Sequence, residues 1–525
     1  MGETQLSAVR EIQRFSPVDG QVLPPVPMST HAQVTETITR ARAAQPAWQA
    51  LGFEGRAKLV RLAARRLLEK RNEIVALGQE ELGKYPAEML MTEAVGPLEF
   101  AAAWIKQARS ALRRKTVPVS SLAFPGKSAK VELVPRGVLG IIAPWNFPLA
   151  NFFKGVFPGL LSGNAVVVKP SELTPKSGQW FVDVMNEVLP AHVLQAVQGD
   201  GEVGRALTTG GIDSLIFTGS VSTGRKVAQL AAEKLIPVSL ELGGKDPAIV
   251  LADCAFDRTV AGVMQWSLAN AGQSCSAIER VYVVDAIADR FVEAMGSAVS
   301  RLRSEPGAEV DVMPVQNLKQ LELVTAQVND AVAKGAVVRT GGKPLGHGFW
   351  FQPTVLDRCT HEMRIMTEET FGPVVCIARV KDEGEAVRLA NDSTFGLNAS
   401  VWSQNLAHAE QVARRLEAGV VLVNNHSITG AWPQAAWTGV KNTGYGVAGS
   451  EYALHTFTRP MTVVIDKNSA PDPWWLPVDA TLLEIANRLG EVQLGALLRA
   501  AALPFLMRQR AKTILAFARG SSVKA

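Results

Sequence analysis

Val138–Leu139–Gly140–Ile141–Ile142–Ala143, six apolar residues running into Pro144–Trp145–Asn146–Phe147–Pro148, is the stretch on which the reading of this chain turns. A short apolar run closed by proline reads as a strand buried on both faces. The rhythm then repeats: Ala165–Val166–Val167–Val168, Ser214–Leu215–Ile216–Phe217 and Pro237–Val238–Ser239–Leu240 are further runs, with helix-length segments such as Ser177–Leu189 and Thr223–Glu233 between them. Strands alternating with helices predict an α/β fold whose parallel sheet is covered on both faces.

Working outward, the pattern restarts after residue 240. Ala248–Ile249–Val250 and Val281–Tyr282–Val283–Val284 read as strands and 287–303 as a helix, which predicts a second α/β domain over 242–440. Upstream, 56–82 reads as one amphipathic helix and 87–113 as another, separated by Gly83–Lys84–Tyr85–Pro86. Residues 117–135 and 452–466 fit neither pattern and read as a β-ribbon of the kind used for subunit contacts. After the linker Asp472–Pro473–Trp474–Trp475–Leu476–Pro477, residues 479–518 are helix-forming, with a break expected at Pro504.

Composition excludes several classes. Of 525 residues, 47% are hydrophobic and 20% charged, an ordinary globular balance that supports two or three domains. A net charge of +5 spread along the chain, without a basic stripe among aromatics in the first 470 residues, argues against nucleic acid. The cysteines Cys254, Cys275, Cys359 and Cys376 form no CxxC pair and have no histidine at metal-ligand spacing, so no metal is expected and a reducing, cytoplasmic setting fits. Glu3, Arg10, Glu11 and Arg14 interrupt any apolar leader, and no uncharged run is long enough to span a bilayer. From residue 492 onward there are six Lys or Arg and no Asp or Glu. With Leu497, Leu498, Phe505 and Leu506, the cations Arg508, Arg510 and Lys512 suggest a peripheral contact with anionic lipid. The plainer alternative is a helical extension packed on its own dimer.

Candidate chemistry gathers at the strand ends. Cys275, in Gly272–Gln273–Ser274–Cys275–Ser276, sits at a helix-to-strand junction where backbone N–H groups would lower a thiol pKa. Glu241, in Leu240–Glu241–Leu242–Gly243–Gly244–Lys245, closes an apolar strand, where a carboxylate is costly unless paired or functional. Asn146 has an amide able to hold an oxyanion, with aromatic flanks to exclude water. Each also has a plain structural reading: a core cysteine, a strand-end ion pair, a turn asparagine. Phe217–Thr218–Gly219–Ser220, with Gly224 opening the next helix, offers N–H groups to a phosphate. Lys169 and Glu172 could hold ribose hydroxyls, and Glu369 and Phe371 a second ribose and a flat heterocycle.

Taken together, PWNFP (144–148), KPSE (169–172), FTGS with Gly224, LELGGK (240–245), GQSCSAIER (272–280) and EETFGPV (368–374), in this order, resemble the aldehyde dehydrogenase superfamily from about residue 15 to 466. The Glu241-to-Cys275 separation of 34 (275 − 241) is similar as well. The resemblance implies two Rossmann-like domains: a cofactor-binding one from 1–116 and 136–241, and a catalytic one at 242–440. It also implies an oligomerisation ribbon at 117–135 and 452–466, beside the helical basic extension at 470–525. It implies Cys275 as nucleophile, Glu241 as general base and Asn146 as oxyanion holder. Trp145, Lys169, Glu172, Gly219, Ser220, Gly224, Glu369 and Phe371 become cofactor contacts. NAD is the expected cofactor, because Glu172 would repel a 2′-phosphate, with NADP also usable. A homodimer or homotetramer acting on a small aldehyde is expected.

The sequence departs from the family at Pro433–Gln434–Ala435–Ala436–Trp437–Thr438–Gly439–Val440–Lys441–Asn442–Thr443–Gly444, where a Pro-Phe-Gly-Gly-like stretch is common. That loop shapes the substrate channel, so the aldehyde stays open. Succinate semialdehyde is one alternative, and acyl transfer to coenzyme A in place of water is another.

Overall fold

A computed structural model describes residues 10–121, 124–307 and 309–520. The readings that rest on Glu3 and Lys524 lie outside the described residues. The chain divides into two compact units, one of residues 1–112 and 134–459, the other of 113–133 and 460–525.

In the first unit the opening stretch forms the strand Val138–Ile142, buried at every position. It is the middle of a five-stranded sheet ordered Leu194–Ala196, Ala165–Lys169, Val138–Ile142, Ser214–Thr218, Val238–Glu241. Every pairing is parallel, and one row runs Ile142 beside Lys169 and Phe217. A seven-stranded sheet follows, ordered Val337–Thr340, Thr354–Asp357, Val374–Val380, Ile278–Val284, Asp246–Val250, Asn398–Trp402, Val420–Val423. Only its edge strand Val337–Thr340 runs antiparallel, a common ending for a parallel sheet. Helices such as Pro175–Asn186 and Asp285–Val299 supply apolar faces to the cores. The fold is α/β with two parallel-sheet layers, as the alternating runs predict.

Two predicted helices are broken. Residues 56–82 form Gly52–Glu69 and Arg71–Leu82, because Lys70 leaves helical geometry (φ −93°, ψ 15°). The bend lets both Leu67 and Ile74 enter one core. The second helix is interrupted by a π-helical turn, Leu90–Ala94, and restarts at Pro97, whose missing N–H suits a first turn. The π turn brings Met91 and Thr92 to a cavity wall and Glu93 into the interior.

The second unit holds most of a three-stranded sheet, Thr458–Asp466, Lys127–Pro135 and Lys115–Val117, and the C-terminal helices Ala480–Gln493 and Leu503–Ala518. The predicted ribbon at 452–466 begins later, since Glu451–Phe457 is helical. The tail breaks at Gly495 (φ 97°), not at Pro504, which occupies the first turn of the last helix. Arg510 is fully buried; it donates to the carbonyls of Pro473 (3.0 Å) and Trp475 (2.6 Å) and pairs with Asp479 (2.9 Å). It is therefore not a headgroup cation, and Leu506 is likewise buried in a small core with Ile485 and Leu503. No helix among the described residues is long and apolar enough to cross a membrane.

Candidate active site

A cavity of about 460 Å³ in the first unit is lined by Gly219 and Ser220 at the end of one sheet, by Gly243, Glu369 and Phe371, and by Asn146, Cys275 and Trp437. Sequence-distant residues meet there because parallel strands end on the same side, where loops rather than ladders finish the chain's polar groups.

The backbone before Cys275 is strained. Asn270, Ala271 and Gly272 all take positive φ (54°, 55° and 69°), two of them without being glycine. Buried polar contacts hold this turn. Glu88 accepts from the Asn270 N–H (2.7 Å), and the Asn270 amide donates to the carbonyls of Gln273 (2.9 Å) and Asn146 (3.2 Å). Gly244 is needed on the opposite side, since a Cβ there would lie 2.0 Å from the Cys275 carbonyl oxygen.

Cys275 Sγ lies 3.7 Å from Glu241 Oε1. The same oxygen accepts from the Trp437 indole N–H at 2.6 Å and has Lys154 Nζ 4.0 Å away. Burial pushes the Cys275 thiol well up, the Glu241 charge adds to this, and Lys154 opposes it. The resting group is a thiol, contrary to the lowering expected from its junction position. Burial is the larger cause, with the Glu241 carboxylate adding to it.

Asn146 is buried; its Nδ2 donates to the Gln273 carbonyl at 3.0 Å, while its Oδ1 has no partner among the described residues. Its backbone carbonyl accepts from Lys84 Nζ at 2.9 Å. Lys84 and Glu93 form a wholly buried pair at 3.3 Å. Glu93 accepts from the N–H groups of Leu149 and Ala150, both at 2.9 Å, and so caps the helix Ala150–Leu161.

Toward the other end of the cavity, Ser220 caps the helix Val221–Glu233, whose first turn has no acidic residue. A Cβ on Gly219 would strike the Phe217 ring at 2.7 Å, and one on Gly224 the Leu242 side chain at 2.4 Å. Phe371 (φ 51°) meets Trp145 edge to face, 5.7 Å between centroids. Glu369 accepts from the Gly244 N–H at 3.0 Å; burial and the Glu279 charge push its carboxyl up to about 8. Lys169 is buried, donating to the carbonyls of Pro170 (2.9 Å) and Gly199 (2.7 Å), with the half-exposed Glu172 carboxylate 3.5 Å away. Lys169, Glu172 and Gly224 are not part of the cavity wall. The N-terminus of this helix, capped by Ser220 and with no acidic residue in its first turn, lies on the same cavity as the thiol.

Sequence reasoning passed over Lys154, Trp437, Lys84 and Glu93. Lys154 gave a signal, being the one charge in the apolar run Ala150–Leu161. Trp437 stood in the departing stretch Pro433–Gly444, but its partner Glu241 is 196 positions away, and Lys84 and Glu93 gave no signal.

A thiol, a carboxylate and an amide converging at the ends of two parallel sheets, beside a glycine turn that opens a helix, have the make-up of a nucleotide-linked enzyme with a cysteine at its site. Comparison with known proteins makes the class specific. The model of the aldehyde dehydrogenase family matches residues 4–463. A 4,4′-diapolycopene aldehyde oxidase of Methylomonas sp is 36% identical over 472 residues, covering 90% of this chain and 89% of that protein. An NADP(+)-linked succinate-semialdehyde dehydrogenase of Deinococcus radiodurans is 35% identical, covering 86% and 94%. The crystal structure of lactaldehyde dehydrogenase from Escherichia coli superposes with a TM-score of 0.82 at 32% identity, covering 88% and 97%. The chain belongs to the aldehyde dehydrogenase family. It is an oxidoreductase that converts an aldehyde to a carboxylic acid with NAD(P)+.

Proposed function

We propose that Cys275 is the nucleophile, Glu241 the general base and Asn146 the oxyanion donor in oxidation of an apolar aldehyde with NAD. The observation that carries this reading is the 3.7 Å approach of Cys275 Sγ to Glu241 Oε1 within one cavity. The part containing the five-stranded sheet holds the dinucleotide through Lys169, Glu172, Gly219, Ser220 and Gly224; Trp145, Glu369 and Phe371 hold its nicotinamide half. The part containing the seven-stranded sheet carries the nucleophile.

Cys275 passes its proton by way of Glu241 to solvent, Lys154 favouring the resulting thiolate, and the sulfur adds to the carbonyl carbon. Asn146 Nδ2 and the Cys275 N–H stabilise the oxygen of the thiohemiacetal, each worth about 2.7–4 kcal/mol in comparable sites. Bound NAD(P)+ supplies the hydride acceptor. The acyl group is left on sulfur as a thioester; Glu241 takes a proton from water, the water oxygen adds to the acyl carbon, and Cys275 leaves as thiolate.

The substrate class follows from the wall. Met91, Trp145, Phe147, Trp266, Leu323 and Ile428 face the cavity, and its one lysine, Lys154, lies beside Glu241. This surface favours an apolar chain, in keeping with a relative named for a diapolycopene aldehyde. Succinate semialdehyde is the second reading, favoured by another relative's name; it requires a cation for the second carboxylate. NAD is preferred over NADP because the Glu172 carboxylate repels a 2′-phosphate. The exposed Val463, Val464 and Ile465 on the edge strand Thr458–Asp466 support a homo-oligomer, and the exposed Leu497, Leu498 and Phe505 beside Arg508 and Lys512 support contact with anionic lipid.

The test is cofactor reduction with long-chain, aromatic and dicarboxylic semialdehydes under NAD and NADP. Cys275→Ala abolishes it. Glu241→Gln gives a first-turnover burst but no sustained acid release; a Glu241→Gln enzyme with the unaltered steady-state rate would sink the base assignment. A higher kcat/KM for succinate semialdehyde than for any apolar aldehyde overturns the substrate class.

A further inference from the structure

We infer that Trp437 is a positioning residue for Glu241, its indole N–H holding the carboxylate at the thiol side of the cavity. The donor distance is 2.6 Å to Glu241 Oε1, that of a strong hydrogen bond to a charged acceptor. The donor is itself immobile. Trp437 is 3% exposed, its backbone is paired in both directions with Ala448 (2.6 and 2.8 Å), and its ring packs with Leu397, Val420 and Leu422. Lys154 Nζ lies 4.7 Å from the ring centroid and 4.0 Å from the same carboxylate oxygen, so ring, ammonium and carboxylate form one cluster.

Glu241 needs such an anchor. It ends a strand, and Gly243 and Gly244 follow two and three residues later, so its own side of the chain supplies little to fix its rotamer. A base acts only from a defined position, and small misplacements cost large factors in rate. A phenylalanine at 437 would keep the apolar wall and lose the hydrogen bond.

The inference rests on Glu241 being the base that activates water, and the experiment separates the two. Trp437→Phe is compared with wild type, Glu241→Gln and the double variant in single-turnover acid release, first-turnover burst and steady state. The expected result for Trp437→Phe is an unchanged burst, kcat/KM preserved within about twofold, and acid release slowed about tenfold, the loss set by one hydrogen bond to a charged group. Hydroxylamine, which attacks a thioester without a base, restores turnover. The double variant is no slower than Glu241→Gln. Acid release at the wild-type rate overturns the inference, as does a fall in kcat/KM that hydroxylamine leaves unrepaired, since that marks a wall residue only. Wild-type acid release in Glu241→Gln itself overturns the base assignment. Should Trp437→Phe not fold, benzothienylalanine at 437 keeps the shape of the indole without its N–H and is read by the same criteria.

Discussion

At the residue scale the site is governed by the state of one sulfur atom. Cys275 rests as a thiol because burial and the Glu241 carboxylate both disfavour its charge. The attacking species is the thiolate, so the reactive fraction grows as pH rises toward a value well above the ordinary thiol range. The burst rate constant in stopped-flow absorbance therefore increases steadily with pH across the neutral range. Glu241→Gln, which removes the nearby negative charge, shifts that rise to lower pH. A burst rate flat with pH contradicts the protonated resting state. Cys275, Glu241 and Asn146 each allowed a plain structural reading in the sequence, and only the ordered set of motifs singled them out; the structure brings all three to one cavity. The state of the Cys275 thiol was not legible: it depends on burial in a cavity that no local window records, on Glu241, and on Lys154, 121 positions before the cysteine (275 − 154).

At the scale of elements, the strain stored before Cys275 and the loop bearing Asn146 share one buried scaffold. Lys84 bonds the Asn146 carbonyl, Glu93 caps the following helix, and Glu88 holds the Asn270 N–H. Lys84→Met leaves the buried Glu93 side chain without its ion-pair partner, a loss that costs about 3–5 kcal/mol in comparable cases. Thermal denaturation shows a lower midpoint for Lys84→Met, and kcat falls because the Asn146 loop loses a support. The double variant Lys84→Met with Glu93→Gln recovers part of the stability. Equal midpoints for wild type and Lys84→Met would remove the scaffold role. The sequence marked Gly83–Lys84–Tyr85–Pro86 only as a break between helices. The π turn at Leu90–Ala94 escaped it for the same reason that the kink at Lys70 did: both are imposed by what the helix must bury, and its period alone is continuous.

For the whole molecule, the two α/β layers were legible from the strand rhythm, and the tail was legible only as helix-forming and basic. Its partition was not. Arg510 looks like its neighbours Arg508 and Lys512 in sequence, yet it alone is buried and ties the last helix to the Pro473–Pro477 segment. Arg510→Met loosens this unit, seen as faster proteolysis near residue 475, while every residue lining the cavity belongs to the other unit and aldehyde oxidation per folded molecule stays within about twofold. The exposed residues give the opposite expectation. Replacing Leu497, Leu498 and Phe505 by serine leaves the fold intact and lowers co-sedimentation with phosphatidylserine-containing vesicles. Unchanged vesicle binding, or a change in oligomer size in its place, removes the lipid reading.

Glu241 Oε1 lies within reach of three donors: a thiol, an indole and an ammonium. That crowding sets a timetable. While the sulfur is protonated it shares the oxygen; once ionised it repels the carboxylate; only when acylated is it neutral and without a claim. On the proposed roles of Cys275 and Glu241, water activation therefore waits on completion of the first stage. A covalent inactivator that alkylates Cys275 halts this timetable for good, because the neutral thioether it leaves has no acyl carbon for the waiting water to attack.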